Sequence, residues 1–223
     1  MIDATSKAFF HGLAQIPTLQ RLASKYGMAP GTGFARRFIA GETVQEAVAA
    51  GAALQTQGLL LTLDYLGESV TSAAAAAAAA ADYIRVITAI IESGIERNLS
   101  LKLTQLGLDV DRATAVDNMR RILEPADANG FFVRIDMENS PYTEATIGIL
   151  DTLWQQGHRQ IGTVIQSYLK RSEADIRKLN TMGSRVLVSG PSPNSALRPA
   201  SSSRRAKALP SLPAASQMWS QSP

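Results

Sequence analysis

The sequence predicts an α/β chain of the (β/α)8 barrel class, holding about the first four or five βα units and preceded by N-terminal helices. Three observations predict it. Strand-like and helix-like segments alternate about every 30 to 40 residues, the rhythm of right-handed βαβ units in a parallel sheet. One side-chain parity turns polar in four successive strands: Thr62 and Asp64, then Ser100, Lys102 and Thr104, then Arg134 and Asp136, then Gln166. An open doubly wound sheet is covered on both faces and its central strands are apolar nearly throughout, so a recurring polar face fits a barrel interior. No Gly-rich phosphate loop follows the first strand, which weakens the dinucleotide-binding alternative further.

The elements follow in order. Phe9, Leu13, Ile16, Leu19 and Leu22 have helical spacing over residues 4–26, tolerating Pro17, until Gly27 and Pro30-Gly31 stop the segment. Glu42-Thr43 opens a second helix through Val44, Ala47, Val48 and Leu54, ending at Gly58. A strand over residues 59–65 leads to a long helix over 69–97, in which the run from Ala73 to Ala81 is strong helix-forming sequence. Strand 99–105 precedes helix 111–127, and strand 131–137 precedes helix 141–156, where Pro141 suits a first turn. Strand 161–168, helix 172–179 and a strand from 185 to 188 complete the pattern. The expected division is a helical arm with the helix leading into the sheet over residues 1–57, a partial (β/α) barrel over 58–188, and a disordered Ser/Pro/Ala-rich basic tail over 189–223.

Composition narrows the function. At 45% hydrophobic residues, 223 residues can bury a real core. There is no Cys, hence no disulfide framework, thiolate nucleophile or Cys-based metal site. His11 and His158 are the only histidines, and neither a metal site nor a Ser-His-Asp triad is expected. The sequence has no run of some 18 apolar residues and no secretory signal pattern, so a cytoplasmic chain is the expectation. The formal charge of +3 is unevenly spread: from residue 183 onward there is no acid, but Arg185, Arg198, Arg204, Arg205 and Lys207 are basic. Without these five, 17 basic residues face 19 acidic ones, and nothing suggests a nucleic-acid surface.

In strand 99–105, Leu99, Leu101 and Leu103 share one face while Ser100, Lys102 and Thr104 share the other. Lys102 therefore points toward a barrel mouth, where its charge needs an anion, and Asp136 on the next strand is the expected partner. An ion pair that merely closes the barrel fits the pattern equally well, and so does a Schiff-base lysine of the kind aldolases use.

Five stretches in order extend this picture: Arg37-Phe-Ile-Ala-Gly-Glu-Thr43, Leu63-Asp-Tyr-Leu-Gly-Glu68, Leu99-Ser-Leu-Lys-Leu-Thr-Gln-Leu-Gly-Leu-Asp109, Val133-Arg-Ile-Asp-Met-Glu138 and Gln166-Ser-Tyr-Leu169. Together they resemble the catalytic barrel of proline dehydrogenases over residues 1–185. The resemblance implies a distorted (β/α)8 barrel holding FAD at the strand C-termini, and oxidation of L-proline to 1-pyrroline-5-carboxylate by hydride transfer to the flavin. It implies that Lys102 meets the substrate carboxylate, that Asp136 and Met137 lie beside flavin and substrate, that Gln166 hydrogen-bonds the isoalloxazine, and that Glu68 pairs with an arginine from the last barrel helix. A quinone or other electron acceptor is implied as well, and peripheral membrane contact with it. Taken singly, Gln166 also fits a capped strand end, Met137 ordinary core, and Glu68 a carboxylate favoured at a helix N-terminus.

The resemblance fails after Leu179. Arg185 and Val186 match positions just before the family's flavin-contacting arginine, but no residue can be assigned to that arginine. A reading-frame change or truncated gene is the expected cause, with a poorly active chain and self-association through open sheet edges as its consequences. The alternative from another class is a non-catalytic βα fragment.

Overall fold

The computed structural model describes residues 39–190, so the expected arm over 4–26 and tail beyond 190 lie outside the described residues. α1 (Val44–Gln55) begins where the Thr43 hydroxyl accepts from the Glu46 amide, while the Glu46 carboxylate accepts from the amide of Glu42 at 2.8 Å. The two contacts satisfy end groups that the helix itself leaves open. β1 (Leu63–Asp64) is only two residues long, shorter than the expected 59–65. The reason lies upstream: the Leu61 amide donates to the Glu96 carboxylate at 2.6 Å, so a side chain takes the place of the ladder, and Leu59 and Leu60 stay exposed.

α2 (Ala73–Ser93) starts at Ser72, whose hydroxyl accepts from Ala75 N, and stops at Gly94, which adopts the left-handed conformation at φ 73°. It is shorter than expected because Ser69, at φ 54°, cannot continue into a helix and Gly94 ends one. By length and composition alone α2 could cross a membrane, yet Ala76, Ala80, Tyr83, Ile87 and Ile90 form a buried stripe of the protein core. β2 (Asn98–Leu101) ends before the expected 105 because the Leu103 carbonyl accepts from the amides of Leu106 and Leu108, closing a turn. Lys102 therefore stands immediately after the strand rather than in it.

α3 (Arg112–Ala128) is capped by Asp111, β3 spans Phe132–Ile135, and a short 3-10 turn at Ser140–Tyr142 feeds α4 (Thr143–Gln155). β4 (Ile161–Gln166), α5 (Ser172–Met182) and β5 (Arg185–Ser189) follow. All five strands are parallel, and their spatial order is their chain order, β1 to β5. A doubly wound sheet reverses its strand order at a switch point. Here no reversal occurs, as in a barrel wound in one direction.

Register divides the sheet into two faces. Leu99, Leu101, Val133, Ile135, Ile161 and Ile165 are fully or nearly fully buried, in one core cluster with the buried side chains of α2 to α5. Along the opposite face Asp64, Ser100, Arg134, Gly162 and Arg185 fall in one row. Gly162 is a spatial necessity there, since a Cβ would strike the Arg185 carbonyl and the Phe132 ring. The Arg185 guanidinium lies 4.7 Å from the centre of that ring, a cation-π contact across β4. Among the described residues β1 and β5 are the sheet edges, and Leu187 and Val188 on β5 are each 49% exposed.

Candidate active site

The C-terminal ends of the strands carry the polar groups. Asp64 closes β1, Lys102 follows β2, Asp136 follows β3 and Gln166 closes β4. Lys102 Nζ lies 3.5 Å from Asp64 Oδ2, and Arg134 Nε donates to Asp136 Oδ1 at 2.9 Å. The expected Lys102–Asp136 pair is thus replaced by two others. Arg134 stands two residues from Asp136 on the same parity and engages it locally, which leaves Asp64 on the preceding strand to meet Lys102. The four side chains are each about one-quarter exposed, enclosed enough for charge to matter and open enough to meet a ligand.

Asp64 sits within reach of all three others. Burial pushes its carboxyl above the ordinary range, outweighing the attraction of Lys102, while the Asp136 charge pushes the same way. The four groups form two ion pairs, two acids and two bases.

Above this array a second tier of bonds ties successive loops together. Thr104 Oγ1 donates to Glu138 Oε1 at 2.5 Å, and the Thr104 amide donates to Glu138 Oε2 at 3.1 Å. Tyr142 Oη donates to Asp109 Oδ1 at 2.7 Å, and Arg171 bridges Glu144 on α4 and Asp175 on α5. Each contact joins the end of one βα unit to the next. Glu68 is exposed in the β1–α2 loop and forms no ion pair among the described residues. Met137 is half-buried and packs against the core edge. The Gln166 side chain accepts from Tyr168 Oη at 3.1 Å, and its backbone carbonyl accepts from Ser172 Oγ.

Lys102, Asp136 and Gln166 therefore share one edge of the sheet as their spacing predicts, with Met137 beside them. Sequence reasoning placed Asp64 and Arg134 on the polar parity but gave them no role, although that shared parity was the available signal. Tyr83, buried in the apolar stripe of α2, left no signal at all.

A singly wound parallel sheet with charged groups on its polar face at the strand C-termini has the layout of a barrel-type enzyme site. The chain belongs to the proline dehydrogenase family, whose model matches residues 47–188. It is 40% identical over 170 residues to Proline dehydrogenase 1 of Bacillus subtilis, covering 76% of this chain and 55% of that protein. It is 33% identical over 186 residues to the Proline dehydrogenase of Deinococcus radiodurans, covering 82% and 59% respectively. The chain thus spans somewhat over half the length of these relatives. In fold it is similar to proline utilization A from Bdellovibrio bacteriovorus, with TM-score 0.60 at 21% identity over 83% of this chain and 21% of that one.

Proposed function

We propose that residues 58–190 form the proline- and flavin-facing part of a proline dehydrogenase that oxidises L-proline to 1-pyrroline-5-carboxylate in proline catabolism. The observation that carries this reading is the charge array of Asp64, Lys102, Arg134 and Asp136 on the polar face, in a chain of this family.

The donor set suits a flavin: the Gln166 amide offers hydrogen bonds to an uncharged heteroaromatic edge, Met137 an apolar contact, and the Arg134–Asp136 pair a polar border. When bound, FAD supplies the hydride acceptor. Lys102 grips the substrate carboxylate, and Asp64 holds the ammonium in place between visits of substrate. Asp136, anchored by Arg134 and by the hydrogen bond its backbone amide donates to the Leu101 carbonyl, orients the ring against the flavin. Glu68 stands at the mouth, available to an arginine. Fixing the two reactants together is most of the task, because the hydride chemistry belongs to the cofactor. The proposal includes a quinone or similar electron acceptor and a cytoplasmic chain that meets the membrane peripherally. The Lys102–Asp64 pair places a cation where a carboxylate would bind, which supports carboxylate recognition over a Schiff base.

The test is to purify residues 1–223 with added FAD and titrate anaerobically with L-proline. Slow bleaching of the flavin band by proline is expected of this poorly active chain, with Lys102→Met shifting the response to at least tenfold higher proline. Flavin retained but indifferent to proline would overturn the proposal, and so would trapping of a carbonyl compound on Lys102 by borohydride.

A further inference from the structure

Tyr83 is fully buried on α2 and takes no part in the proposed chemistry. Its hydroxyl donates to the Tyr65 carbonyl at 3.1 Å and accepts from the side-chain amide of Gln105 at 2.9 Å. That amide also faces the carbonyls of Tyr65 and Gly67, at 3.2 and 3.3 Å. A Cβ on residue 67 would collide with it, so Gly67 is pressed onto Gln105. The neighbouring Thr104 holds the next two residues: its hydroxyl accepts from Ser69 N at 3.1 Å and its carbonyl from Val70 N at 3.2 Å. The Tyr65 ring meets Tyr83 edge-on at 5.6 Å, and Tyr65 Oη donates to Asp82 on the same helix.

Backbone groups at positions 65, 67, 69 and 70 are therefore gripped by one buried seat, and two of its three members lie within three residues of Lys102. What the loop turns outward is Leu66, 63% exposed, and Glu68. Ser69 is the only non-glycine residue at positive φ among those described, a conformation that neighbours must enforce. Burial, with the nearby Asp64 and Asp136 charges, pushes the Tyr83 hydroxyl upward and keeps it a donor.

We infer that Tyr83, Gln105 and Thr104 are positioning residues that dock the Glu68 loop onto the turn carrying Lys102, so that the loop's position and the grip on the substrate carboxylate act as one unit. The part concerning substrate rests on the function proposed above; the docking does not. Tyr83→Phe keeps the ring and its packing but deletes the hydroxyl, and Thr104→Val keeps shape but deletes the acceptor for Ser69.

Amide hydrogen exchange in the full chain reads the docking directly. Protection at the Ser69 and Val70 amides should fall at least tenfold in both variants, with α3 and β3 unchanged, and Thr104→Ser should restore it. Unchanged protection at Ser69 and Val70, or an equal loss throughout the sheet, overturns the seat. In the flavin titration, Tyr83→Phe should raise the half-maximal proline concentration about fivefold at unaltered flavin content. A flat response in a variant whose loop has come loose overturns the coupling. A wild-type chain that ignores proline counts against the proposed function, and exchange at Ser69 and Val70 still decides the docking.

Discussion

At Asp64, two electrostatic effects pull in opposite directions. Lys102 favours the carboxylate, but loss of hydration disfavours it more, so the folded chain binds this proton more tightly than the unfolded chain does. Below the ordinary aspartate range both forms are protonated and Asp64 costs nothing. As pH rises through the ordinary value and then the raised one, the cost sets in. Asp64→Asn is therefore expected to gain on the wild type in thermal melts as pH rises above about 4. The same change should weaken the grip on proline, because Lys102 loses its tether. Lys102→Met removes a charge-assisted bond worth roughly 1.5 to 3 kcal/mol, about one to two orders of magnitude in proline affinity if the bond is made as proposed. Steady-state or flavin-bleaching titrations measure both. Lys102 was legible in the sequence because a lysine interrupts leucines at strict alternation. Its partner was not, because alternation names a face and not which of two carboxylates on that face another cation has already engaged.

Among the elements, helices were legible and strand ends were not. The Thr43, Ser72 and Asp111 starts are written in single residues whose side chains replace missing backbone partners. Strand lengths depend on partners far away in sequence, such as Glu96 at the Leu61 amide, which shortened β1. Hydrogen bonds from the Thr114 backbone and side chain, with a further one from the Ala113 backbone, hold the Asp111 carboxyl below its ordinary range. A lowered carboxylate stabilises the fold above its unfolded value and loses that contribution as pH falls through the folded one. Asp111→Ala should thus be less stable than wild type in melts near neutral pH, with the difference closing in strong acid. A gap that stays constant with pH would show that the cap acts without its charge.

For the whole molecule, the order β1 to β5 without reversal was legible from βα rhythm and a recurring polar parity. The edges are a matter of what lies beside them. β5 presents Leu187 and Val188 with no neighbouring strand among the described residues, and unpaired strand groups next to apolar side chains favour association with another chain. Sedimentation velocity on residues 1–223 should show mass rising with concentration, and Val188→Lys should suppress it. A concentration-independent monomer would mean that the β5 edge is protected.

The balanced array at the sheet mouth also sets what kind of guest it can admit without leaving a charge uncompensated. A free amino acid such as proline is a zwitterion, bringing one positive and one negative group together, so it can enter between paired charges and leave the total at zero. A ring acid without the amine brings only a negative charge, which stands uncompensated beside the Asp64 and Asp136 carboxylates. Calorimetric titration should find cyclopentanecarboxylate bound at least about tenfold more weakly than proline, with Asp64→Asn narrowing that gap. Charge bookkeeping of this kind would make the site a detector of dipolar molecules, selecting against plain carboxylates before any ring is aligned for reaction.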